Sequence, residues 1–266
     1  MAYVRHCIDR RLERKTPNAG RWEPAVTFRR LSKKRAVLFE KGGRQTLIRF
    51  REQMDELRNQ LLEMAGMVES AIHQSVLALV HRDEAAAKDV FWKEALINQK
   101  QIDIDEYATR LLALYQPMAG DMRYLTAAIK INGDLERMGD LSVNITYRAL
   151  SLMRHAPVHP VIDIPRMAKL VENMVRKSLD ALAHRDEELA RTVLLSDDEV
   201  DFLKEMVSSE LMAFMQEESS TIPSAVDLIF IAHNLERIAD HATNIAEDVV
   251  FLLKGIDVRH HAESRE

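Results

Sequence analysis

Residues that break regular structure are scarce in this sequence: 266 residues hold eight glycines and seven prolines, about half of the usual combined share of roughly 12%. So few turn formers disfavour sheet-rich folds with many reversals. Cysteine is nearly absent. Cys7 stands alone, which excludes an internal disulfide framework and any cysteine-rich zinc site and fits a reducing compartment. No apolar run approaches the roughly 18 residues of a membrane span, and the N-terminus lacks the apolar core of a secretory signal. Also missing are a Walker-type glycine loop, Gly-x-Ser-x-Gly, His-Glu-x-x-His, and the Glu-x-x-His pairs of ferritin-like di-iron sites. With 30% charged and 47% hydrophobic residues, the expectation is a soluble, all-α protein, and enzymatic readings find no motif to support them.

The net charge of −5 hides a partition. Met1–Gln45 carries 13 Lys+Arg against 4 Asp+Glu, a net of +9, which leaves −14 on the rest. The basic stretch includes Arg29-Arg30 and Lys33-Lys34-Arg35, holds Pro17, Pro24, Gly42 and Gly43, and shows no helical apolar periodicity. Residues 1–45 therefore read as a disordered or weakly structured N-terminal extension, either solvated or the product of a start placed too far upstream.

From Thr46 onward apolar residues recur at helical spacing. Leu57, Leu61, Met64, Val68, Ile72, Val76 and Leu79 step by threes and fours, predicting one helix from about Thr46 to Val80. A second follows His81-Arg82-Asp83-Glu84 and stops before Pro117, because proline restricts the residue preceding it. Asp121 is suited to cap a third helix reaching about Arg154. His155 to Pro160 then forms a Pro-paired join. Beyond it a fourth helix starts near Pro165 and runs to His184-Arg185-Asp186-Glu187, a fifth spans about Asp186 to Glu218, and a sixth runs from Ser224 to Lys254, with Gly255 as a stop. The His-Arg-Asp-Glu turn occurs twice, about 100 residues apart, and Leu135-Glu136-Arg137-Met138-Gly139-Asp140 returns as Leu235-Glu236-Arg237-Ile238-Ala239-Asp240. A duplication predicts two tandem three-helix bundles at residues 46–155 and 165–255, a linker at 156–164 and a tail at 256–266.

The duplicated segments carry oxygen ligands. Glu136, Asp140 and Asn144 lie four apart on the third helix, and Glu236, Asp240 and Asn244 lie four apart on the sixth, so each set shares one helix face. The middle helices add Glu94 and Asn98 in the first copy and Asp197 and Asp201 in the second. Like charges at this spacing destabilise a bare helix, so a compensating cation or basic side chain is expected beside each pair. Oxygen donors without cysteine, and without a histidine shared by both patches, suit a hard or borderline ion such as magnesium, manganese, calcium or iron. The copies are unequal, since Glu247 extends the second face where the first has Tyr147.

The combination resembles the PhoU family. It is carried by Asp55-Glu56-Leu57-Arg58 with Met64 to Val68, by Gln116-Pro117-Met118-Ala119 with Asp121-Met122-Arg123, and by the two Glu-Arg-(Met/Ile)-(Gly/Ala)-Asp segments, the second continuing through His241-Ala242-Thr243-Asn244-Ile245. The resemblance spans Thr46 to Gly255 and implies two three-helix bundles whose Glu-x-x-x-Asp motifs, Glu136/Asp140 and Glu236/Asp240, are associated with metal ions, with iron, zinc, manganese or magnesium as the expected cofactor. It further implies a cytoplasmic, non-enzymatic negative regulator of phosphate uptake and phosphate-starvation signalling, a homodimer that connects the ATPase subunit of the phosphate transporter with a sensor histidine kinase. Membrane association would come only through those partners, and the bundles would not bind nucleic acid directly. Two other readings remain open, a metal-dependent enzyme using the same carboxylates and a nucleic-acid-binding regulator acting through the basic stretch.

Overall fold

The computed structural model describes residues 28–155 and 163–259. Among these the elements are α1 (Phe28–His81), α2 (Glu84–Tyr115), α3 (Ala119–Leu152), α4 (Ile164–His184), α5 (Glu187–Leu194), α6 (Asp197–Glu217), a 3₁₀ turn (Ser219–Thr221) and α7 (Ile222–Lys254), with no strand. The chain forms two units, residues 1–48 and residues 49–266.

In the first unit the described backbone is the N-terminal part of α1, which is helical from Phe28. This corrects the expectation of disorder for residues 28–45. The segment contains no proline and is rich in Lys and Arg, which are good helix formers; Gly42-Gly43 costs about 1 kcal/mol per glycine. The expectation for residues 1–27 lies outside the described residues, as does most of the linker, 156–162.

The second unit holds both copies around one core. Leu57, Leu61, Met64, Val68 and Ile72 of α1 are fully buried with Ile97, Ile104 and Leu111 of α2 and Leu125, Ile131, Leu135 and Met138 of α3. The same apolar cluster continues through Met167, Val171 and Met174 of α4, Val200 and Leu203 of α6 and Ile231, Leu235 and Ile238 of α7. The packing of α3 with α2, and of α7 with α4, α5 and α6, completes each bundle, and α3 and α7 pair extensively with each other. The two bundles are thus fused along their third helices.

The duplicated turns are built alike. Arg82 and Arg185 both take the left-handed conformation, with φ of 54° and 56°, and the next residue is an extended N-cap. Asp83 accepts from the amides of Ala85 and Ala86, and Asp186 from that of Leu189, filling donors that a helix start leaves open. Pro165 and Pro223 sit in the first turns of α4 and α7, and Gly255 ends α7 with φ of 71°, where a side chain would be strained and would meet the Arg123 guanidinium.

Two further helix boundaries differ from expectation. Met118, not Asp121, is the N-cap of α3, and it makes no side-chain cap bond; Asp121 falls in the first turn, where it complements the helix dipole. The expected fifth helix is broken at Leu195-Ser196 into α5 and α6. There Thr192 Oγ1 donates to Leu189 O and Ser196 Oγ to Thr192 O, so hydroxyls compete for the carbonyls of the last turn. Asp197, Asp198 and Glu199 then open α6, a favourable negative start for a new helix.

Candidate functional site

The carboxylate residues sit on α2 and α3 of the first copy and on α6 and α7 of the second. In each copy the apolar residues around the motif are buried, Leu135, Met138 and Leu141 on α3 and Leu235, Ile238 and Ala239 on α7. Helical periodicity therefore turns the motif acids outward: Glu136 and Glu236 are part-buried, whereas Asp140, Asn144, Asp240 and Asn244 are exposed.

The second copy gathers its set. Burial, then the charges of Asp240, Asp201, Asp198 and Glu236, push the Asp197 carboxyl up to about 6. Asp240 is likewise raised, first by burial and then by Glu236 and Asp201. Four predicted acids from two helices thus share one field. The expected basic neighbour is present: Lys204 Nζ lies 3.8 Å from Glu236 Oε1. His233 Nδ1 is 3.1 Å from Glu236 Oε2, but without hydrogen-bond geometry, so that oxygen is buried and unsatisfied.

The first copy is looser. Asn98 donates to Glu94 Oε1 at 2.9 Å along α2, and Glu136 on α3 is raised by burial and by Asp140. A Cβ on Gly139 of α3 would lie 3.3 Å from Ile97 of α2, so the two helices run close between these pairs. Asn98 Oδ1 is buried without a partner. Each copy therefore has one unsatisfied buried oxygen on a predicted ligand residue. Hard oxygen donors, mutually repelling acids and orphaned oxygens are a donor set that a cation would satisfy. Among the described residues, however, no three His, Cys, Asp or Glu side chains are arranged to hold a metal ion.

Two predicted residues point elsewhere. Asn244 Nδ2 donates to Asp134 Oδ1 of α3 at 3.3 Å, and Asn144 lines a groove beside Arg148 and Arg237. Sequence reasoning missed the polar bridge that joins the bundles. His241 Nδ1 lies 2.8 Å from Asp134 Oδ1, Lys130 Nζ 3.0 Å from Asp248 Oδ1, and Arg148 Nη1 2.9 Å from Asp227 Oδ1. Asp227, His241 and Asp248 are 6–8% exposed, and burial raises Asp248 despite Lys130. No pattern within one helix announces these pairs, because each partner lies on the other copy.

The PhoU domain model matches residues 61–149 and again 164–249. The chain is 40% identical over 210 residues to the phosphate-specific transport system accessory protein PhoU homolog of Zymomonas mobilis, covering 79% of this chain and 89% of that protein. It is 36% identical over 212 residues to the homolog of the same name from Pseudomonas aeruginosa, covering 79% and 88%. The crystal structure of PhoU from Pseudomonas aeruginosa superposes with a TM-score of 0.76 at 35% identity, over 78% of this chain and all of that one. That of the phosphate transport system regulatory protein PhoU from Streptococcus pneumoniae gives 0.73 at 29%, over 79% and 99%. With the domain matched in both copies and two third helices carrying the same acidic face, the chain belongs to the PhoU family.

Proposed function

We propose that this protein is a non-enzymatic accessory regulator of phosphate uptake, acting by contact. The observation that carries the reading is the exposure of duplicated acidic faces on one fused core, in a chain whose relatives are named for the phosphate-specific transport system. In this reading the protein is cytoplasmic and homodimeric and docks between the transporter's ATPase subunit and a sensor histidine kinase, lowering the starvation response when phosphate is plentiful. No described helix is long and apolar enough to cross a membrane, which accords with recruitment through partners. Phosphate status would select among partner-bound states by differential affinity.

The carboxylate sets would hold divalent or trivalent ions, iron, zinc, manganese or magnesium. Glu236, Asp240, Asp197 and Asp201 would serve the second copy, and Glu136, Asp140, Glu94 and Asn98 the first. A bound ion would supply positive charge that relieves the mutual repulsion of these acids and ties α2 to α3 and α6 to α7. The test is co-purification of the tagged full chain with the ATPase subunit and the kinase from phosphate-replete cells. Recovery of both, weakened in a variant with the motif acids neutralised, is expected; recovery of neither overturns the adaptor reading.

A further inference from the structure

A groove of about 450 Å³ runs between α3 and α7, on the half of their contact that includes Asn144, Arg148, Phe230 and Arg237. Its lining contains two arginines and no carboxylate, although residues 46–266 are strongly acidic. Arg148 is fixed from two sides, by Asp227 Oδ1 at 2.9 Å and by the Phe230 ring, whose centroid is 4.5 Å away. Arg237 is exposed and forms no ion pair among the described residues. Asn144, Asn234 and Ser151 add neutral hydrogen-bonding groups between them. Tyr147 and Phe230 present aromatic surface, 61% and 44% exposed, and Tyr147 is braced against Phe91 at 4.8 Å.

The duplication supplies a comparison within the molecule. The corresponding positions on the other half of the same helix pair are Lys130, Asp134, Arg137, Asn244, Glu247 and Asp248. There Lys130 pairs with Asp248 and Asp134 with His241, as Arg148 pairs with Asp227 on the groove side, where Arg237 remains outside any ion pair among the described residues. Passing to the groove, Asp134 becomes Asn234, Glu247 becomes Tyr147, Asp248 becomes Arg148 and Lys130 becomes Phe230. At these six positions every carboxylate is replaced by a neutral donor, an aromatic ring or an arginine, while Asp227, which stands where the other half has Ala127, holds Arg148 from beside the groove.

We infer that the α3/α7 groove binds a phosphoryl-bearing small molecule, either a pyrophosphate-type oxyanion or a nucleoside polyphosphate. Arg237 and Arg148 pair with the oxyanion, and the Tyr147 and Phe230 rings flank any base. The two guanidiniums offer planar donor forks suited to phosphate oxygens. The asparagine amides give donors without the repulsion a carboxylate would add. The volume falls in the range of about 300–1,000 Å³ typical of small-ligand sites.

The test is calorimetric titration of the full chain in chelator, so that no carboxylate-bound metal recruits the anion. Pyrophosphate, ATP and sulfate are the probes. Saturable binding of ATP or pyrophosphate at one per chain is expected, falling at least about ten-fold in Arg237→Gln, the loss of one charge-assisted contact. Tyr147→Glu, which restores the acid carried at Glu247, should have the same effect; both positions are exposed, and far-ultraviolet circular dichroism checks that helicity is kept. ATP binding at least about ten-fold tighter than pyrophosphate assigns a nucleoside phosphate, and equal binding assigns the phosphoryl chain alone. Absence of binding by both probes overturns the inference. So does equal affinity for sulfate, or binding unchanged in both variants, which would put the anion on the basic N-terminal stretch.

Discussion

Replacing Asp197 by asparagine should stabilise the metal-free protein. Burial and four neighbouring acids raise its carboxyl from 3.8 to about 6, a shift of roughly two units, or at most about 3 kcal/mol of penalty on the charged form at about 1.4 kcal/mol per unit. The side chain is only part-buried, so solvent screening reduces this to about 1–2 kcal/mol. Asparagine keeps the shape and removes the charge. It also removes one of three acids from the first turn of α6, where Asp198 and Glu199 remain; that loss is roughly 0.3–1 kcal/mol. The net gain is about 1 kcal/mol, or roughly 2–4 °C in Tm for a domain of this size. The sign with pH follows from linkage. The folded state holds this proton more tightly than the unfolded chain, so the penalty is absent below pH 3.8, grows between 3.8 and about 6, and is complete above. Thermal unfolding in chelator, followed by circular dichroism, should therefore show the gain at about pH 7.5 and lose it by about pH 3.5. A gain of equal size at both pH values, or destabilisation at neutral pH, would refute the argument. Adding manganese should reverse the order, because a cation bound to the native cluster stabilises the parent more than the variant.

Three further outcomes follow from the same structure. Glu136→Gln with Asp140→Asn should leave the helical content unchanged and remove metal from the first copy only; unchanged metal content by elemental analysis would count against that site. Arg148→Ala should cost about 2–3 kcal/mol in urea unfolding, because Asp227 is 6% exposed and loses its ion-pair partner, whereas adding Asp227→Ala should recover part of the loss. Asp83→Ala and Asp186→Ala each remove an N-cap and should each cost about 1 kcal/mol, with nearly additive effects because the two caps share no partner.

The split of the fifth helix shows how local competition escapes an apolar count. Periodicity runs through Leu189, Val193, Val200 and Leu203 almost unbroken, and only the Thr192 and Ser196 hydroxyls, with the acids that follow, mark the break. The pattern Ser196 to Glu199 was a readable helix start. The helical course from Phe28 was hidden for the opposite reason, since that segment has no sustained run of apolar residues at helical spacing and only the propensity of its Lys and Arg favours a helix.

Sequence by itself determined the all-α class, the duplication and the outward acidic faces. Those depend on helical period and on repeats along one chain, and both are local. It also selected the residues of the second acidic cluster, because an i, i+4 pair on each of two neighbouring helices points to one patch once the bundle forms. Only the tertiary structure decided that α3 and α7 fuse the bundles, that Asp134, Asp227 and Asp248 find partners on the other copy, and that one half of that seam is a groove lined by two arginines and no carboxylate. The physical reason is that burial and pairing between helices far apart in the chain depend on which faces meet, and a single helix does not encode the identity of its neighbour.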